Sequence, residues 1–293
     1  MVLRYLLRNW LFSLARRSTA EHHHVPPGAA EQTQELAPPP PPCLVGMVFA
    51  LGIEAGCTED RLEKTSTVRG HGRFFRQGTL AGRSATIVRS GAGADQAAAA
   101  TEALIAGHRP LWVLSAGFAG ALTPDLARHD FLIVDNLVNV RGDHLSLDLK
   151  VDRESLRATP HVHVGRLLTA DAVVRLPEEK AALGRRHQAL AVDLESFAVA
   201  AVCRERGVRF MGVRIISDPL DEILPAEVRQ YLDQATAAGK LGSLVGSLWR
   251  RPGAAKDLWQ LKENALLASD RLAEFLAGIV RQLDPAPLAE RES

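Results

Sequence analysis

The chain has 293 residues, of which 46% are apolar and 24% charged, and its formal net charge is +1. This fits one globular domain of ordinary composition with appendages, and it gives no global basic field that would suit nucleic acid. Cys43, Cys57 and Cys203 have no CxxC spacing and leave one thiol over in any disulfide scheme, so a reducing, cytoplasmic compartment is expected.

Residues 1–17, MVLRYLLRNWLFSLARR, are too short and too charged to span a bilayer, and no A-x-A site follows them. Leu3, Leu6, Leu7, Trp10, Leu11 and Leu14 fall on one face of a basic amphipathic helix. Two readings stand for it: a helix lying on an anionic membrane surface, and a helix packed on the domain or on a partner chain. Residues 18–43 shift to a polar, Pro-rich linker that includes His22, His23 and His24 and ends in Pro38 to Pro42.

A folded domain is expected over 44–248. It opens with a buried strand, Val45 to Leu51, which delivers Glu54. A charged, helix-like stretch around Arg61 follows, then a hairpin of residues 73–79 and 82–89 turning at Ala81-Gly82. Next come the loop Ser90-Gly91-Ala92-Gly93, a helix over 94–107, and a strand Leu111 to Ser115 that ends in a small-residue turn, Gly117-Phe118-Ala119-Gly120. Glycine turns let backbone N–H groups approach a ligand. Neither one carries the dinucleotide fingerprint or a P-loop lysine, and HExxH and G-x-S-x-G are absent. Further strands are expected near Phe131 to Asp135 and from His161 to Leu168, with a polar segment 139–160 between them. His161 and His163 read as ordinary polar strand residues, and no metal site is expected.

After the turn Thr169-Ala170-Asp171-Ala172 come a helix around Glu178 to Arg186 and the stretch Ala191 to Asp218, AVDLESFAVAAVCRERGVRFMGVRIISD. Ala198, Val199, Val202 and Cys203 give a buried helix after Glu195, stopped by Gly207. Phe210 to Ile216 is apolar on both faces except at Arg214, as in a central parallel strand. Pro219 ends that strand and leaves Asp218 at its carboxyl end, where open α/β sheets place their ligands. In an apolar frame this acid would be suited to proton donation. The plainer reading of such an Asp is a turn cap. From Leu220 to Leu283 the pattern is helical, with a break at Arg250-Arg251-Pro252-Gly253, a C-terminal extension over 249–283 and a tail over 284–293. Alternating strands and helices predict a three-layer αβα fold with a central twisted, mostly parallel mixed sheet.

In the order Glu54, SGAG, SAGFAG, LTADA, AVDLES and VRIISD, the chain resembles the nucleoside phosphorylase superfamily from about Val45 to about Leu248. It is most similar to the nucleosidases acting on methylthioadenosine and S-adenosylhomocysteine. The resemblance implies hydrolytic release of adenine from a 5′-substituted adenosine, with no cofactor, by a homo-oligomer whose neighbour often borders the pocket. Residue by residue, it implies that Asp218 protonates N7, steadied by Ser217, and that Glu54 activates water. Glu195 would bind the ribose hydroxyls, Leu194 would lie against the sugar, and Val174 would offer its backbone to the adenine edge. Val173 stands where the nucleosidases stack a phenylalanine, and Phe118 where they carry a serine after Gly117. Leu114 stands where phosphorylases carry an arginine, so phosphorolysis, with phosphate as co-substrate, would need Arg89 or Arg214 in its place. A non-catalytic nucleoside-binding module is the remaining alternative. The C-terminal tail is similar to that of the hopanoid-associated phosphorylases acting on adenosylhopane, a membrane-embedded lipid nucleoside, which would give the basic N-terminus a purpose.

Overall fold

The structure is a computed structural model that describes residues 42–147, 158–225 and 252–285, with side chains from residue 263 onward in the last segment. The expected N-terminal helix, nearly all of the linker, the stretch 226–251 and most of the tail lie outside the described residues.

The chain enters through strand β1 (Val45–Phe49), whose residues are all buried, and turns into helix α1 (Gly52–Asp60). The expected strand to Leu51 therefore stops two residues early. Glu54 is the reason: from the first turn of α1 its Oε2 accepts the Leu51 N–H at 2.8 Å, the reach-back contact that fixes a helix start. The helical character expected around Arg61 ends there, and strand β2 (Glu63–Gly70) follows. Its sequence hid it because an edge strand exposed along nearly its whole length carries no apolar alternation. Strands β3 (Arg73–Leu80) and β4 (Arg83–Arg89) form the expected hairpin, with Ala81 and Gly82 both at positive φ.

Helix α2 (Ala94–His108) leads into β5 (Trp112–Ala121), which runs straight through the expected turn at Gly117-Phe118-Ala119-Gly120. That expectation is corrected: neither glycine has a positive φ, and each lies opposite a β10 residue in the ladder. Strands β6 (Phe131–Asn139), β7 (His144–Ser146) and β8 (Val162–Thr169) follow, then helix α3 (Pro177–His187). A short strand β9 (Ala191–Asp193) precedes helix α4 (Ser196–Glu205), and β10 (Arg209–Asp218) precedes the long helix α5 (Pro252–Gln282). Helix α4 stops as the sequence predicts. The Gly207 N–H bonds the Arg204 carbonyl and the Val208 N–H bonds the Cys203 carbonyl, the paired closure of a Schellman end.

The sheet runs β2-β3-β4-β1-β5-β10-β6-β8-β9, and β9 closes back onto β5. Its middle, β4-β1-β5-β10, is parallel, as is β6-β8-β9; antiparallel pairings join these blocks. Helices α1 and α5 pack on one face, α2 and α4 on the other, which gives the three layers. Val45, Met47 and Phe49 of β1 and Val213 and Ile215 of β10 face α5, whose Ala268, Leu272, Leu276 and Val280 are buried among them. The described part of the expected C-terminal extension thus shares the main core.

Candidate active site at the carboxyl edge of the sheet

The parallel strands β1, β4, β5 and β10 all end on one edge, and the acidic residues collect there. Glu54, Glu195, Phe118, Gly117 and Arg214 line one cavity together with Val48, Ala50, Ser90, Ser115 and Ala116. Its shape depends on β5. A Cβ on Gly117 would lie 2.6 Å from Glu54 Oε1, so the Glu54 carboxylate can rest on the strand only where a side chain is missing. There Oε1 accepts the Phe118 N–H at 2.8 Å. The sequence located these small residues correctly and mistook their purpose, which is to admit a carboxylate.

Burial pushes the Glu54 carboxyl above its ordinary value, against the opposing pull of the Phe118 and Leu51 N–H groups. Glu195, at the start of α4, accepts the Gly93 N–H at 2.8 Å, so the SGAG loop serves to hold this side chain. Burial and the nearby Asp193 charge push its pKa up to about 8, with Glu54 adding to the rise. Both effects favour the protonated form of Glu195.

Beneath the cavity Arg214 is buried and every nitrogen of its guanidinium is engaged. Nε and Nη2 bond Asp193 Oδ2 at 3.1 and 2.8 Å, Nη1 bonds the Ser115 and Val213 carbonyls, and Nη2 also reaches Ser115 Oγ at 2.7 Å and Ser196 Oγ at 2.6 Å. Asp193 in turn accepts from Thr169 Oγ1 and the Ser196 N–H. Arg89, the other candidate for a phosphate contact, is paired with Glu59 through Nε at 2.7 Å and through Nη2.

Asp218 stands at the same edge, outside the lining of that cavity. It too rests on a glycine: a Cβ on Gly120 would come within 2.8 Å of its Oδ2. Ser217 Oγ bonds Oδ1 at 2.6 Å. The expected apolar frame is corrected, because Oδ2 lies 2.6 Å from Nζ of the buried Lys180 on α3. That approach is off the hydrogen-bonding direction, so Oδ2 has the ammonium as a charge partner and no hydrogen bond. Val174 and Leu194 pack against one apolar cluster of Leu168, Ala170 and Val192 beside this edge, and Val173 is half-buried in the loop after β8. Neither valine lines the cavity.

Sequence reasoning missed Asp193, Ser196 and Lys180. The first two lie within or beside the AVDLES motif it singled out, whereas a lysine in a charged helix gives no sign of being buried. His161 and His163 are more than polar strand residues: both bond Asp130, at 2.8 and 2.9 Å. No cluster of His, Cys, Asp and Glu among the described residues is arranged to hold a metal ion.

A three-layer α/β fold with buried carboxylates gathered at the ends of its parallel strands defines a class of enzyme that acts on a small polar ligand at that edge. Residues 43–245 match the family model described as the phosphorylase superfamily, and the chain belongs to that family. It is an enzyme of the nucleoside hydrolase or phosphorylase type. Among its relatives, the 5′-methylthioadenosine/S-adenosylhomocysteine nucleosidase of Staphylococcus haemolyticus is 25% identical over 70% of this chain and 98% of its own length. The nucleosidase of the same description from Bacillus thuringiensis is 26% identical over 65% and 92%. Of the solved structures, the Neisseria meningitidis nucleosidase in complex with methylthio-immucillin-A has a TM-score of 0.62 at 20% identity, covering 82% of this chain and 99% of the other. The futalosine hydrolase of Helicobacter pylori has a TM-score of 0.61 at 19% identity, with 82% and 97% covered.

Proposed function

We propose that the chain hydrolyses the N-glycosidic bond of a 5′-substituted adenosine and releases adenine. The observation that carries the choice of water over phosphate is the charge of the cavity. Among the described residues two carboxyl groups line it, and the one lining cation, Arg214, is already neutralised by Asp193. A phosphate dianion would face the Glu54 carboxyl there and find no uncommitted donor on Arg214, while a water molecule suits the same groups.

The chemistry follows from the residues. In its ionised form Glu54 accepts a proton from the attacking water. The water oxygen bonds to C1′ as the C1′–N9 bond breaks with its electron pair moving to the purine. Asp218, braced by Ser217, delivers a proton to N7, so adenine leaves neutral. Glu195 hydrogen-bonds the ribose hydroxyls and orients the sugar, with Leu194 against it and Val173 and Val174 toward the base. Phe118 stands among the cavity's lining residues, and a large apolar residue at that position favours an apolar 5′ substituent, up to the lipid of adenosylhopane. The basic apolar segment 1–17 would suit such a substrate by laying the enzyme on an anionic bilayer.

The test is adenine release from a panel of 5′-substituted adenosines, one of them lipid-linked, with and without phosphate. Free ribose product formed without phosphate is expected. Strict dependence on phosphate would make the enzyme a phosphorylase, and binding with no turnover would make it a binding module.

A further inference from the structure

Lys180 is the fully buried cation that the mechanism above leaves unused. Its side chain has no exposure, although it belongs to a helix, Pro177–His187, that is otherwise charged and largely on the surface. Besides its 2.6 Å contact with Asp218 Oδ2, the ammonium donates to the Pro219 carbonyl at 2.9 Å and the Glu222 carbonyl at 3.1 Å. The two carbonyls hold the ammonium by hydrogen bonds, and Asp218 faces it as a charge partner. The Glu222 carboxylate and the Ser217 carbonyl are both bound by Arg128, which ties the turn after β10 to the same network. Burying an ammonium is costly unless its partner is placed well, and an aliphatic side chain of similar volume would fill the space without that cost. The charge is directed at the residue at the very end of β10, the one carboxyl group of the three that lies outside the cavity lining.

We propose that Lys180 is a positioning residue for Asp218: it fixes the orientation of the carboxyl group and faces the negative charge that builds on Oδ2 as the proton leaves for the purine. The inference rests on the reading of Asp218 as proton donor. In the step itself the O–H bond of Asp218 breaks and the N7–H bond of the purine forms. The carboxylate left behind already lies against a fixed cation, so no solvent has to reorganise around it. Lys180 does not touch the substrate and acts through Asp218.

A double-mutant cycle on the full chain tests this, with adenine release as the readout. Lys180→Gln keeps N–H donors for the two carbonyls and removes the charge. It is expected to lower kcat by roughly 100-fold with KM little changed, the scale of losing one preorganised charge-stabilising group. In an Asp218→Asn background the same change should cost almost nothing, because the group it acts through is gone. If Lys180→Gln does not fold, the comparison of Asp218→Asn with Asp218→Asn/Lys180→Met replaces it, since removing both charges leaves neither buried alone. Losses that multiply in the double variant, or a loss confined to KM or to melting temperature, would overturn the proposal while leaving the nucleosidase reading intact. A wild-type chain that releases no purine from any adenosine derivative would overturn both.

Discussion

Glu54→Gln preserves the shape of the side chain and, through its one amide oxygen, the contact with the Phe118 N–H, while giving up the Leu51 N–H at the helix start; adenine release is expected to fall by roughly 100-fold or more with a modest loss of stability. Gly117→Ala should cost a comparable amount by a different route. Its methyl would displace Glu54 Oε1 from a position 2.6 Å away, and a shift of about 1 Å in a reacting group is enough for a loss of about 100-fold. Steady-state kinetics alongside circular dichroism check both. Glu195 gives the pH prediction. Its folded pKa of about 8 lies above the ordinary 4.5, so the native state holds this proton more tightly than the unfolded chain does. Its contribution to stability is intact at low pH and is lost as pH climbs from about 4.5 to 8. Thermal melts of the wild type should therefore fall across that window, and Glu195→Gln should reduce the slope. Glu54 adds to the slope in the same direction. At this scale the sequence was legible in part. Glu54, Glu195 and Asp218 were recognised because carboxylates at the ends of apolar runs stand out. Lys180 and Asp193 were not, because whether a charge is buried depends on what packs over it.

Among the elements, α5 tests how the layers hold together. Leu272 is fully buried between α5 and the sheet, and Leu272→Ala should destabilise the fold by about 2–5 kcal/mol, as large-to-small changes in a packed core do. Urea unfolding measures it. A surface leucine on the same helix, Leu266, should tolerate alanine with little loss. Helices α2, α3 and α4 were legible from period and end signals, and the β3–β4 hairpin from its turn. Strand β2 was not, since exposure on both faces erases the alternation by which strands are read. The glycines of β5 misled for a related reason: a glycine in a strand and a glycine in a turn look alike until the partner filling the space is known.

For the whole molecule, the charge of the cavity predicts that added phosphate will leave the rate unchanged or lower it, in contrast to the stimulation a phosphorylase would show. Removing residues 1–43 is expected to abolish sedimentation with anionic vesicles while leaving hydrolysis of a soluble substrate near its full rate. Retained sedimentation would assign membrane contact, if any, to another surface. The amino-acid sequence by itself determined the three-layer α/β fold, most element positions and the acidic residues at the strand ends, because periodicity and chain punctuation are local properties. Only the tertiary structure decided that β5 runs unbroken past Glu54 and Asp218, that Arg214 is spent on Asp193 and that Lys180 faces Asp218. Each of these joins groups from separate elements, and which of them meet is fixed by how the sheet and helices pack.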